Sequence, residues 1–394
     1  MNKKKEIVPK FRFRKYVNSE QWISTELSSL LDYERPDLYI VESDNYKNEG
    51  IPVLTANKSF ILGYTDEKNN IYSRVPVIIF DDFTTEKKYV DFPFKVKSSA
   101  IKILKPKGNN VLKFVFELMN TINFEAKEHK RYYISTYQKL FVYVPKDVKE
   151  QQIIADCLSS TDDLIDAESR KLKVLEKYKK GLMQKLFPAE GKTLPEWRFP
   201  EFKHCGNWEQ VTLTKVAFYE NGKAHENYIE EYGKYIVVNS KFIATDGEVT
   251  KHSNTANLLA KRGDILMVLS DVPNGRALAK CYFVDENDKY TVNQRICRLR
   301  PYDIDSLFLF YYVNRNKYFL DFDDGVKQTN LKKSDVLACP LLKPKEKREQ
   351  QKIADCLSEI DTMIAEQLKK IERLATHKKG LMQGLFPSLE EADV

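Results

Sequence analysis

The sequence predicts an α+β protein: two mixed α/β modules alternate with two long helices that pair as an antiparallel coiled coil, giving a pseudo-two-fold arrangement. Two observations carry this expectation. First, the segment from Pro145 to Pro188 returns at Pro344 to Pro387 without a gap, at an offset of 199 residues and with 24 identities in 44 positions. A repeat unit of half the chain marks a duplicated two-module protein rather than a solenoid. Second, the blocks before each copy open alike: Arg12, Phe13, Trp22 and Leu27 match Arg198, Phe199, Trp208 and Leu213 at one offset of 186, after which the blocks diverge. The expected boundaries are 1–144 and 189–343 for the modules, 145–188 and 344–387 for the helical regions, and 388–394 for a tail.

The repeats read as helices with an apolar seam. Ile154, Leu158, Ile165, Leu172, Leu175 and Leu182 in the first copy, and Ile353, Leu357, Ile360, Ile364, Ile371, Leu374 and Leu381 in the second, fall at a and d positions of successive heptads. Spacings of three and four sustained over about five heptads predict a coiled coil. Both copies place a polar residue at the same central d position, Glu168 and Gln367, a device that costs stability and fixes register. Acidic residues early (Asp156, Asp162, Asp163) and basic residues late (Lys177, Lys179, Lys180) suit the helix dipole. Each helix should run about 55 Å at 1.5 Å per residue. Gly181 and Gly380 should loosen the last turns, and Pro188 and Pro387 should end them.

Inside the modules, residues 75–80 and 264–270 read as short buried strands entered from a Pro or Gly turn. Residues 290–300 alternate as one half-exposed strand would, while 111–122 and 307–319 carry helical patterns. The length of 394 residues fits two to three domains, and a formal charge of +7 leans weakly towards nucleic acid. The six cysteines are scattered without a CxxC; Cys157 and Cys356 are repeat equivalents expected to act as small buried hydrophobes. The basic start has no apolar stretch behind it, so no export signal and no membrane span are expected, and free thiols point to a reducing cytoplasm.

Catalytic apparatus is not visible. The fourteen glycines form no GxG pair, which removes the dinucleotide fingerprint and the glycine-rich methyltransferase loop, and there is no GxxxxGK[ST] phosphate loop. No Asn-Pro-Pro-Tyr type motif marks an amino-methyltransferase site. The five histidines show neither HxH nor HxxxH spacing, and the pairs Asp81-Asp82 and Asp323-Asp324 lack the following lysine of a metal nuclease. No catalytic residue and no metal ligand is therefore assigned.

The arrangement resembles the specificity (S) subunit of type I restriction–modification systems. The residues that carry it are Glu150-Gln151-Gln152 with Ile154, Ala155 and Leu158, repeated as Glu349-Gln350-Gln351 with Ile353, Ala354 and Leu357, and the Lys-Lys-Gly-Leu-Met-Gln-x-Leu-Phe-Pro endings. In the second module Trp197-Arg198-Phe199-Pro200, Gly263-Asp264-Ile265-Leu266 and Asn293-Gln294 match landmarks of that family; the first module lacks the last two but carries residues 79–85 in a form seen in some recognition domains. The resemblance implies two target-recognition domains that each read one half of a bipartite, asymmetric sequence in double-stranded DNA, with the helices setting the gap. It further implies a non-catalytic chain on which two adenine-methyltransferase subunits and the motor-nuclease (restriction) subunits assemble. Those partners would bring S-adenosylmethionine, ATP and magnesium, and this chain would hold no cofactor of its own. The alternatives are a coiled-coil scaffold without DNA binding, an S-like subunit of another defence or modification complex, and a solitary nuclease with a hidden metal site.

Base readout calls for polar side chains on protruding loops. In the first module the candidates are Asn57, Lys58, Ser59, Arg74, Thr84, Thr85, Lys87, Lys88, Lys130 and Arg131. In the second they are Asn239, Ser240, Lys241, Lys251, His252, Ser270, Asn274, Arg276, Lys327, Gln328, Thr329 and Asn330. The seam residues named above are the candidates for helix pairing and subunit docking. Lys3-Lys4-Lys5 reads as a solvated tail.

Overall fold

The computed structural model describes residues 7–56, 59–128 and 130–387. The lysines at 3–5 lie outside them. The chain divides into two compact units, residues 1–170 with 368–394, and residues 171–367. The boundaries fall inside the two long helices, α2 (Val148–Leu186) and α7 (Lys347–Leu385). Each unit thus holds one module, the first half of the helix that follows it, and the last half of the other helix.

In the first unit, β1 (Ile23–Glu26) pairs with β9 (Phe141–Val144). A four-stranded sheet runs β2 (Leu31–Glu34), β8 (Ile101–Pro106), β5 (Val77–Asp81), β6 (Lys87–Val90), and a three-stranded one runs β4 (Ile61–Thr65), β3 (Ile51–Leu54), β7 (Lys95–Val96). The helix α1 (Leu112–Thr121) packs on the larger sheet through Phe114, Val115, Leu118 and Met119. The second unit repeats this plan. There β10 (Glu209–Thr212) pairs with β20 (Pro340–Lys343), and the larger sheet runs β11 (Ala217–Asn221), β18 (Ile296–Pro301), β14 (Ile265–Val268), β16 (Cys281–Phe283). Its smaller sheet runs β13 (His252–Ser253), β12 (Tyr235–Val238), β17 (Tyr290–Val292), and α4 (Ser306–Val313) takes the place of α1. The second unit adds α3 (Ser240–Ala244), α5 (Lys317–Leu320), α6 (Lys333–Leu337) and a two-stranded ribbon, β15 (Ser270–Asp271) with β19 (Thr329–Asn330).

Three sequence expectations are corrected. Residues 290–300 are not one half-exposed strand: they split at 293–295 into β17 and β18, which belong to different sheets, and β17 is buried throughout. Burial alternates in neither arm, and the turn at 293–295 lay hidden because Asn-Gln-Arg holds no glycine or proline to mark it. The helical pattern at 307–319 breaks after Val313, where Arg315 adopts φ +55°, and resumes as α5. Gly181 and Gly380 do not loosen their helices, which continue to Leu186 and Leu385 because those ends are buried against the modules.

The helix segments run antiparallel inside the first unit, where Asp162 pairs with Lys378 at 2.7 Å and Glu168 pairs with Lys370. In the second unit Lys179 pairs with Asp361, while Leu186 joins the same core as Ile353, Ala354 and Leu357. The seam residues Ile154, Leu158, Ile353, Leu357 and Ile360 are buried, and Ile165, Leu172, Leu175, Leu182, Ile364, Ile371, Leu374 and Leu381 are half-buried among exposed neighbours. A two-helix seam has no third layer to cover it, which accounts for the partial burial. Gln367 is buried at the polar d position, and Cys157 and Cys356 are half-buried.

Candidate nucleic-acid interface

The repeated Glu-Gln dipeptide holds each module to its helix. In the first unit Arg12 donates a two-pronged pair of hydrogen bonds to Glu150, Nε to Oε1 and Nη2 to Oε2, both at 2.8 Å, and the Trp22 indole N–H adds a third at 3.3 Å. In the second, Arg198 does the same to Glu349 at 2.7 Å and 2.7 Å, with Trp208 at 3.2 Å. The carboxylate raises each arginine above its ordinary pKa by direct hydrogen bonding, so each guanidinium stays charged. The adjacent glutamine grips a different part of the module. Gln151 Oε1 accepts from Val111 N at 3.0 Å, and Gln350 Oε1 accepts from Asp305 N at 2.8 Å, each at the head of the module helix.

The helix ends close the frame. Phe386 packs against Trp22 and Phe114 with ring centres 6.3 and 5.4 Å away, and Phe187 packs against Phe308 at 5.3 Å, itself 5.9 Å from Trp208. The Leu-Phe-Pro endings therefore plug a module core. Phe11 N donates to Gly384 O at 2.8 Å, and Trp197 N donates to Lys185 O at 2.9 Å, the same bond in both units.

On this frame three loops recur in each module. The first follows β3 or β12. Asn57 and Lys58 lie outside the described residues, Ser59 is exposed, and Thr55 is buried. In the second module Asn239 caps α3, accepting from Phe242 N at 2.9 Å, with Lys241 exposed beside it. Lys251 and His252 border β12, and a cleft of about 180 Å³ is lined by Asn239, Lys251, Asn293, Glu226 and Ile229.

The second and third loops meet. In the first module the turn after β5 is short: Asp81 Oδ1 accepts from Phe83 N at 2.9 Å and Thr84 N at 2.8 Å. Thr84 is exposed; Thr85, at φ +61°, is buried. Asp82 then receives Tyr132 N on its carbonyl and Tyr133 N on its carboxylate, both at 2.8 Å, which places Arg131 over the Phe83 ring at 5.9 Å. Lys130 is exposed and paired with Glu128. Lys87 and Lys88 are half-buried on β6, and burial lowers the Lys87 pKa. Arg74 is occupied by Glu34 at 2.6 Å and Tyr39 at 2.9 Å.

In the second module the same two loops grow into the ribbon. Ser270 lies opposite Asn330, and Gln328 Nε2 donates to Ser270 Oγ at 2.6 Å. Asp271 Oδ2 accepts from Ala277 N at 2.6 Å and Leu278 N at 3.0 Å. A Cβ on Gly275 would fall 2.1 Å from that oxygen, so a side chain there would push the Asp271 carboxylate off these bonds. Asn274 N donates to Asp323 Oδ2 at 3.0 Å, and Thr329 Oγ1 donates to Asp323 Oδ1 at 3.2 Å. The acidic side chains are thus spent on backbone and threonine donors. Arg276, Lys327, Gln328 and Asn330 are exposed, whereas Ser270 and Thr329 are buried ties.

Sequence reasoning missed the turn that joins these loops. Leu269 N donates to Arg295 O at 2.9 Å and Asn293 N to Val238 O at 3.0 Å; in the first module Asp82 N donates to Ala100 O at 2.8 Å and Lys97 N to Leu54 O at 3.0 Å. Residues 293–295 and 97–100 are therefore counterparts, and exposed Arg295 joins the candidates. The Asn-Gln landmark gave the position in the second module, but the first builds the turn from Lys-Ser-Ser. Among the described residues no cluster of metal-ligating side chains occurs, and no helix is long and apolar enough to cross a membrane.

The fold is a duplication: two similar modules, each carrying three polar loops and each packed against segments of the long helices within its own unit. Residues 206–374 match the family described as the type I restriction modification DNA specificity domain, and the chain is similar to type I specificity subunits. The EcoR124I/EcoR124II specificity subunit of Escherichia coli is 35% identical over 252 residues, which cover 60% of this chain and 61% of that protein. The MjaVIII specificity subunit of Methanocaldococcus jannaschii is 27% identical over 260 residues, 61% of this chain and 60% of the relative. The aligned region thus spans about three fifths of the curated relatives. The fold matches that of a type I restriction-modification S subunit from M. genitalium with a TM-score of 0.66, 17% identity and coverage of 97% of this chain and 100% of that one. A chain from a study of complex assembly in the type I R-M system matches with a TM-score of 0.54 and 14% identity, covering 93% of this chain and 98% of that chain.

Proposed function

We propose that this chain is the address-reading subunit of a type I modification or restriction complex, itself without catalytic activity. Each module reads one half of an interrupted, asymmetric sequence in double-stranded DNA, and the paired helices set the distance between the halves. The observation that carries the reading is that one loop frame is built twice and filled with different side chains: Thr84, Lys130 and Arg131 in one module, Arg276, Lys327, Gln328 and Asn330 in the other. Equivalent loops with different residues suit two different DNA words, since the backbone positions and the side chains specify.

By this reading two adenine-methyltransferase subunits dock on the helical frame, one per repeat, and bring S-adenosylmethionine; restriction subunits bring ATP and magnesium. The complex works in the cytoplasm, where the DNA is. The domain limits proposed for the readers are 1–144 and 189–343. The test is a methylation map of DNA from cells that express this chain with its methyltransferase partner, against cells that lack this chain. One interrupted, asymmetric adenine motif that depends on this chain is expected. An active partner that yields no such motif would favour the scaffold alternative.

A further inference from the structure

The Glu-Gln dipeptides do more than fasten the modules. Successive residues on a helix point about 100° apart around its axis. Glu150 and Gln151 therefore hold two separate pieces of the first module, its entering arm through Arg12 and Trp22 and the head of α1 through Val111. Glu349 and Gln350 hold the second module in the same way, through Arg198, Trp208 and Asp305. The apolar packing of Ile154, Leu158, Ile353 and Leu357 against the modules is non-directional, whereas two hydrogen-bonded contacts at different angles fix the angle about the helix. The fork matters as well, because a guanidinium bound through two nitrogens cannot pivot as an ammonium can. Gln350 is fixed in turn by donating to Pro344 O at 2.7 Å.

We propose that these paired grips set the rotational phase of each reader on its helix, and so decide how many base pairs the complex accepts between the two half-sites. The proposal rests on the DNA-addressing reading above. Each added base pair turns the second half-site by about a tenth of a helical turn and moves it about 3.4 Å. A reader with rotational slack at its root would accept a neighbouring gap, while its loops, and hence its DNA word, stay the same. Glu150, Gln151, Glu349 and Gln350 are positioning residues, since they act through the modules they hold.

The test is methylation by the complete complex on duplexes in which the two half-sites are kept and the gap is varied by one base pair either way. Arg198→Lys keeps the charge and loses the fork; Gln350→Ala removes the second grip and leaves the Arg198–Glu349 fork in place. For each, the preference for the native gap over its neighbours should fall about tenfold, with the half-site words unchanged. A loss of activity equal at every gap, or an unaltered gap preference in soluble variants, overturns the proposal, because loss of stability alone scales all gaps together. If the second-unit variants fail to fold, Arg12→Lys and Gln151→Ala make the same measurement from the first unit. A wild-type complex with no interrupted target would instead sink the addressing function itself.

Discussion

The two units differ least where they are buried most. The Arg–Glu–Trp grips agree to within 0.1 Å in every bond, whereas the loop pair after β5 is a turn tied to Asp82 and its counterpart after β14 is a ribbon with its own strands. Between these extremes lies one buried spot with two solutions. In the first unit, Glu117 on α1 meets Lys113 at 3.0 Å and Lys378 at 3.4 Å, with Asp162 beside them. In the second, Tyr311 on α4 donates to Asp361 Oδ2 at 2.7 Å, and Lys179 completes the set. The frame tolerates a change of chemistry provided every buried charge keeps a partner.

The comparison can be broken most forcefully at the grips. Glu349→Ala leaves Arg198 buried without its carboxylate and should cost about 3–5 kcal/mol. Glu150→Ala should cost the same within about 1 kcal/mol, as read by denaturant unfolding; a large inequality would show that the units are not equivalent. Next come the loops. Gln328→Ala should weaken recognition of one half-site by about 1–3 kcal/mol and leave the other half untouched, while Thr84→Ala acts on the opposite half. Competition binding with each half-site mutated separately reads both.

The Tyr311 hydroxyl gives a smaller effect. Tyr311→Phe should cost about 1 kcal/mol, less than Glu117→Gln, which strips a carboxylate from two lysines; thermal unfolding of the two variants ranks them. The smallest effect is at Glu34. Burial opposes its ionisation, but hydrogen bonds from Lys105 and Tyr39 and the charges of Lys105 and Arg74 outweigh burial and hold its pKa below the ordinary 4.5. Its contribution, below about 1 kcal/mol, is present above that value and lost as pH falls through the lowered one. Glu34→Gln should flatten the acid limb of stability by that amount.

The long helices and the existence of two modules were legible because period and duplication are local properties of the chain. Ile154 and Ile353 announce a seam by spacing alone, and the Leu-Phe-Pro endings announce a stop. The Glu-Gln dipeptides stood out in the sequence, but their work did not, since Arg12 and Glu150 are 138 residues apart and only folding brings the fork to the carboxylate. Polarity alone marks the loop candidates in the sequence. Polarity cannot tell exposed Thr84 from buried Thr85, or Gln328 from the buried ties Ser270 and Thr329, because burial depends on which loop returns to cover which.

By itself the sequence determined two helices, two modules, their order and their kinship. The tertiary structure decided that each unit borrows the end of the other module's helix, that the polar picks after β14 and after α5 converge on one ribbon, and that 290–300 is two strands. These outcomes rest on contacts between residues far apart in the chain, whose energies come from burial and hydrogen bonding and leave no periodic trace in the sequence.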